Sequence, residues 1–289
     1  MSEVTRSPRL ATNAAEAVDG IAWVPDEVTL GRSRLQRLID RTGAGTYVAL
    51  LERIAEDPEW YWREALADLD LVWQRQPDRV WDLERGLAWP EWFPGGSFNF
   101  TQSALDRWVE RGDGDRVAVI AERDDGTVET RTFRELRDET VRVAAGLRGA
   151  GVMPGDRVGV LMPMIPATVV AMLALARIQA VSVPLFSGFG EDAIVTRLRD
   201  SGATALITVD AFQRRGRLVP LKRIADGALA AVPEVSLCVV VRHEGGDCAM
   251  AAGRFRWWDD LEQSSTDALK IPDTPADTPV VLTRRKIDS

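Results

Sequence analysis

The chain is poor in the residues that usually carry metal or nucleophile chemistry: one histidine and two cysteines in 289 residues. His243 follows an apolar run and precedes "EGGD", which reads as a histidine in a surface loop. With no second histidine, a His-based metal site is not expected, and a Ser-His-Asp set has no free imidazole to use. Cys238 and Cys248 lack metal-ligand spacing. Cys238 lies inside "LCVVVR" and is expected to be a buried thiol, as in a protein of a reducing cytoplasm. Long apolar runs are missing too. The longest, at residues 169–176, is broken by Arg177, far short of the about 20 residues that span a bilayer. No membrane partner is therefore expected. The opening "MSEVTRSPRLATNAAEAVDG" has no apolar core for a secretory signal, so residues 1–20 are expected to be disordered and the protein cytoplasmic. There is no basic excess. A net charge of −8 argues against a nucleic-acid partner. Neither a G-x-S-x-G elbow nor a Walker phosphate loop occurs.

What is present is a soluble α/β pattern. Hydrophobic residues make up 45% and charged residues 28%, enough for one large domain or two ordinary ones. Residues 21–100 form a lead-in that is helical at first and rich in tryptophan (Trp60, Trp62, Trp73). Asp57 before Pro58 is a helix-start pair. "LAWPEWFPGG" holds two prolines and three aromatic rings, so it is expected to run extended and to be pinned by Trp89, Trp92 and Phe93. A helix is expected around 104–110, then a strand at 116–121, a turn at Asp125-Gly126 and a return strand at 128–132. Thr132 and Glu135 make a capping-box pattern for a helix whose apolar face holds Phe133, Leu136, Val143 and Leu147.

From there strands and helices alternate. "DRVGVLMP", "VSVPLF", "ATALITVD", "EVSLCVVVR" and "TPVVLT" read as strands. "PATVVAMLALARIQA", "EDAIVTRLRDSG", "PLKRIADGALAAVP" and "RWWDDLEQS" read as helices. Such alternation means right-handed βαβ units and a mostly parallel sheet with flanking helices. Ligands of these sheets bind beyond the C-terminal strand ends. Two loops there stand out. "SGFGEDA" has glycines before a helix, but Glu191 and Asp192 in its first turn would repel an anion, so it reads as a tight turn. "AFQRRGRLVPLK" packs Arg214, Arg215, Arg217, Lys222 and Arg223 into ten residues of an acidic chain, and Gly216 lets the backbone turn so that they converge. Arginine forks suit phosphate oxygens, yet a solvated basic turn fits the spacing equally well.

Several stretches, in order, resemble the N-terminal part of the AMP-forming acid–CoA ligases, in the acetyl-CoA and propionyl-CoA synthetase branch of the adenylate-forming enzymes. They are "EWFPGGSFNFTQSALDRWVE", "RTFRELRDETVRVAAGLRGAGVMPGDRVGVLMPMIPATVVAMLALARIQAV", "FSGFGEDAIVTRLRDSGATALIT", "RRGRLVPLK" and "RWWDDL". The resemblance runs from about Trp60 to Thr283. It implies an α/β fold made of part of the large N-terminal domain of that family at 101–283, behind the Trp-rich lead-in. It implies a short carboxylic acid, ATP with Mg²⁺, and coenzyme A (CoA) as reactants. It also turns the open question of the arginines toward binding: Arg214, Arg215, Gly216 and Arg217 match a turn that faces the CoA phosphates. Ser182, Ala167 and Phe186-Ser187-Gly188 depart from the acetate-using pattern, so the resemblance leaves the acid open. In the family the strand matching "TPVVLT" enters a Gly/Ser/Thr-rich ATP loop. Here "RRKIDS" at 284–289 stands in its place, a tail outside the family pattern. The expectation is a ligase portion that is not competent alone. The alternative is a non-catalytic module that binds CoA or a partner, such as the remainder of a split ligase on a separate chain.

Overall fold

The computed structural model describes residues 23–245, 248–266 and 269–283; the sequence-based expectations for 1–20 and for the tail at 284–289 fall outside them. The chain divides into two compact units, one reaching to Leu71 and one starting at Val72.

The first unit is helical: α1 (Glu27–Arg32), α2 (Arg34–Thr42), α3 (Tyr47–Glu56) and α4 (Pro58–Leu69). Each begins on a side-chain cap, from Asp26, Ser33, Thr46 and Asp57 in turn. The cap satisfies an N–H that the first turn leaves without a partner. Asp57 accepts from Trp60 N with Pro58 at the first helical position, as the sequence predicts. Arg53 lies 3.7 Å above the Trp60 ring, so this tryptophan serves α3–α4 packing.

In the second unit β1 (Trp81–Asp82) and β2 (Glu91–Trp92) form a small antiparallel ladder. The "WPEWFPGG" stretch is extended at Glu91–Trp92 as expected, but it turns at residues 93–96, where Phe93 has a φ of +55°. Trp92 meets Trp81 edge-on at 5.2 Å, and Phe93 meets Trp73 at 5.6 Å. Trp89 is the exception: it is 66% exposed and pins nothing. The helix expected at 104–110 starts earlier, as a π-helical turn at Gln102–Asp106 that runs into α5 (Arg107–Glu110). This turn lies over a buried ion pair. Asp106 receives Arg177 Nη1 at 3.0 and 3.2 Å, and Thr101 Oγ1 accepts from the same nitrogen at 3.2 Å.

β3 (Val117–Glu122) and β4 (Val128–Thr132) form a hairpin, and α6 (Phe133–Gly149) follows with the complete Thr132–Glu135 capping box. The main sheet uses β5 (Arg157–Leu161), β6 (Val181–Leu185), β7 (Ala205–Val209), β10 (Leu237–Val241) and β11 (Phe255–Trp257), all parallel. Between them run α7 (Pro166–Arg177), α8 (Glu191–Ser201) and α9 (Leu221–Ala231), and α10 (Trp258–Glu262) comes last. Spatial order is β11-β10-β7-β5-β6. Taken from the β6 edge and numbered by appearance in this sheet, that is 2-1-3-4-5. The order reverses between β5 and β7, the switch point where the two flanking loops part and leave a crevice. The core lies on both faces of this sheet, with Leu161, Leu175, Leu206, Ile207, Val239 and Val240 all buried. Cys238 is buried there as expected, and burial pushes its thiol up to about 12.

Two details of the main sheet differ from the sequence reading. β11 is a strand placed inside the stretch read as helix only. The closing strand expected at 278–283 is reduced to one parallel bridge, Ser182 with Val281. Pro279 has no N–H to give, and Thr278 N is spent on a turn to Pro275 O at 3.0 Å. No helix among the described residues is long and apolar enough to cross a membrane.

Candidate functional site

The crevice at the switch point is built from loops at the C-terminal ends of four sheet strands. Pro163, Met164 and Ile165 follow β5, Ser187 follows β6, and His243 and Glu244 follow β10. After β7 the chain makes a second hairpin, β8 (Phe212–Arg214) and β9 (Arg217–Val219), with Arg214 registered opposite Arg217. The β3–β4 turn closes the far side with Glu122, Arg123, Asp124 and Asp125. Together these residues enclose about 610 Å³.

The arginine hairpin has a two-residue loop, Arg215-Gly216, with φ of +51° and +72°. Two successive positive φ values define the turn type whose twist matches paired strands, and glycine at the second position bears it without strain. The tip therefore holds Arg214, Arg215 and Arg217 together on an exposed turn, at the place where the sequence puts them. Lys222 is not among them. It is 1% exposed on α9, where Nζ donates to Asp226 Oδ1 at 2.6 Å and to Ala249 O at 3.0 Å and lies 3.8 Å above the Phe255 ring. Proximity in sequence counted it with the arginines. The helix turns it inward to a carboxylate one turn on. Arg223 is exposed on the same helix, outside the hairpin.

Three contacts were not legible in the sequence. Arg214 stacks 5.3 Å above the Phe186 ring, in the loop read only as a tight turn. Gly188 makes this approach possible: a Cβ there would lie 2.6 Å from the Phe186 ring and closer still to the Arg214 guanidinium. Asp124 of the facing hairpin accepts the Arg215 N–H at 3.1 Å. Finally, Asp210 ends β7 with its carboxylate buried. It accepts N–H groups from Ala211 (2.6 Å), His243 (3.0 Å), Glu244 (3.2 Å) and Gly245 (2.9 Å). Burial pushes its pKa up, but these four donations outweigh burial and hold it below the usual aspartate value. One side chain thus ties the hairpin's entrance to the loop after β10.

His243 is a correction. It was read as a surface-loop residue, yet it is half-buried and lines the crevice. Burial, and then the Arg123 cation, lower its pKa and favour the neutral ring. The crevice is mixed in charge. Arg123 is spent on Glu129, at 2.8 Å, and the acids of the β3–β4 turn face the arginines. A second cleft of about 640 Å³ adjoins it past the ends of β5 and β6, lined by apolar groups including Met162, Leu185 and Leu282, with Phe186 and Ser187 shared between cleft and loop. Among the described residues no group of three His, Cys, Asp or Glu is placed to hold a metal ion.

Comparison with known proteins agrees with this architecture. Residues 105–282 match the AMP-binding enzyme family, and residues 47–104 match the acetyl-coenzyme A synthetase N-terminus. The acetyl-coenzyme A synthetase of Cupriavidus taiwanensis is 38% identical over 238 residues, which is 82% of this chain and 36% of that protein. The protein of the same name from Deinococcus radiodurans is 39% identical over 228 residues, 78% of this chain and 34% of its own. The chain thus spans about a third of the length of these relatives. Among solved structures, acetoacetyl-CoA synthetase from Streptomyces lividans superposes with a TM-score of 0.79 at 25% identity, covering 90% of this chain and 40% of that one. With its matched residues carrying the switch-point sheet and its loops, the chain belongs to the AMP-binding enzyme family.

Proposed function

We propose that this chain supplies the CoA-nucleotide site of an AMP-forming acid–CoA ligase. In that reaction a carboxylate oxygen attacks the α-phosphorus of ATP and pyrophosphate leaves, giving an acyl-adenylate. The CoA thiolate then attacks the acyl carbon, the bond to the AMP oxygen breaks, and a thioester forms. The observation that carries the proposal is the Arg214–Arg217 hairpin at the switch-point crevice, with Arg214 held over Phe186. Guanidinium forks at a rigid turn suit phosphate oxygens, and an aromatic ring beside them suits a purine face. The relatives named for acetyl-CoA and acetoacetyl-CoA synthesis support the same chemistry. ATP, with its Mg²⁺, and the short carboxylic acid are assigned to no residue of this chain. Use of ATP and CoA supports a cytoplasmic location.

The test is calorimetric titration of the 289-residue chain with CoA. Arg214→Ala and Arg217→Ala are each expected to weaken binding about tenfold, the worth of one charge-assisted contact. Wild-type affinity in both variants would overturn the assignment. A second reading is CoA capture without catalysis by this chain, with the remainder of the ligase as its partner. It rests on the same hairpin, whose arginines can hold a nucleotide phosphate without an ATP site. ATP–pyrophosphate exchange separates the two readings: exchange by this chain alone would place adenylation within it, and CoA binding without exchange fits the binding reading.

A further inference from the structure

We infer that Asp124 is a built-in counter-anion of the arginine hairpin, occupying the seat that a phosphomonoester takes when it binds. The inference rests on the reading of that hairpin as the CoA-nucleotide site.

The observation is that two hairpin tips of opposite charge meet. The β3–β4 turn carries Asp124 and Asp125, and the β8–β9 turn carries Arg214, Arg215 and Arg217. The acids of the first turn are not equivalent. Asp125 is committed to its own turn, accepting Thr127 N–H at 2.8 Å. Glu129 is committed to Arg123, at 2.8 Å. Asp124 alone of these reaches across, its Oδ2 3.1 Å from the Arg215 nitrogen. That nitrogen belongs to the residue with φ of +51° at the hairpin tip. An N–H directed out of the hairpin tip is what an anion's oxygen would accept from. Asp124 fills that position with a single negative charge.

A phosphomonoester carries a charge near −2 and three acceptor oxygens. It can take the Arg215 N–H and both flanking guanidiniums together, and so replaces a carboxylate that offers one charge. A ribose hydroxyl cannot. The contact is exposed, so its strength is modest and salt-sensitive, as suits a contact that has to be released on binding. CoA has such a group on its ribose 3′ oxygen, and dephospho-CoA lacks only that group. The pair isolates the seat that Asp124 occupies.

Asp124→Asn keeps a side-chain oxygen that can accept the Arg215 N–H but removes the charge. It is expected to tighten CoA about fivefold, the scale of one exposed charge contact. Dephospho-CoA affinity is expected to stay within about twofold, and Asp125→Asn to change neither. Unchanged or weaker CoA binding in Asp124→Asn would overturn the inference. So would equal tightening of both ligands, which would mean a diffuse charge effect instead of a shared seat. The hairpin reading fails in a different way: the Arg214→Ala/Arg217→Ala double variant would bind CoA like the wild type, in either Asp124 background.

Discussion

At the scale of one residue, Asp210 shows how a site is fixed by a group that touches no ligand. It is 4% exposed and carries four backbone N–H donors from two loops. Its folded pKa is depressed, so its stabilisation is complete above the unfolded value of about 4 and is lost as pH falls through the lower folded value. Asp210→Asn keeps the shape but not the charge, and its amide nitrogen has donors to face. It is expected to lose about 2–3 kcal/mol at pH 7, the cost of unmaking hydrogen bonds to a buried charge. The gap between variant and wild type is expected to narrow as pH drops below about 4. Urea denaturation followed by circular dichroism at a series of pH values measures it. A gap that stays constant down to pH 3 would mean that the charge is not what holds the loops.

At the scale of elements, the arginine hairpin depends on its two-residue turn. Gly216 has a φ of +72°, which a β-branched residue adopts only with strain. Gly216→Val is therefore expected to splay β8 from β9 and weaken CoA binding as much as loss of Arg214 does. Tm should fall by no more than about 2 °C, because the tip is solvent-exposed and packs on little. Calorimetric titration beside a thermal melt checks both halves, and a large fall in Tm with unchanged affinity would reverse the assignment. The same hairpin marks the limit of what the sequence disclosed. The Thr132–Glu135 capping box marked α6, and apolar runs marked the β5, β6, β7 and β10 units close to their observed bounds, because burial on both faces writes strands such as "LCVVV" as unbroken apolar runs. The three-residue strands β8 and β9 carry exposed residues from Gln213 to Leu218, so no burial pattern announces them. β11 is as short and was hidden by the helix after it. Lys222 was grouped with the arginines because spacing along the chain does not say which way a side chain faces; Asp226, four residues on, was the available clue. Phe186, Gly188, Asp124 and Asp210 come together only through the strand order, which no local pattern contains.

At the scale of the whole sheet, β6 is, among the described residues, the edge strand beside the switch point, and its outer side is covered lightly there. Ser182 N donates outward to Val280 O at 2.9 Å, and Ser182 O accepts from Leu282 N at 2.9 Å. In a parallel strand the N–H and C=O of one residue point to the same side, and those of the residue two along do likewise. The next outward-facing position is therefore residue 184, and it is a proline. Pro184 is exposed and has no N–H, so pairing beyond Leu282 meets a missing donor. This blunts an edge that lies next to the apolar cleft of Met162, Leu185 and Leu282. Pro184→Val would supply the donor and a β-branched side chain without disturbing the buried alternate residues Val183 and Leu185. It is expected to raise concentration-dependent self-association, read as an increase in weight-average mass by sedimentation equilibrium. Adding Lys at exposed position 281 in the same background, Val281→Lys, is expected to lower it again, since a charge on the covering segment opposes edge pairing. CoA affinity should stay the same in both variants, because neither position 184 nor position 281 lines the crevice of the arginine hairpin. A Pro184→Val protein that stays as monodisperse as the wild type would show that the bridge to Val281 alone is sufficient to close the edge.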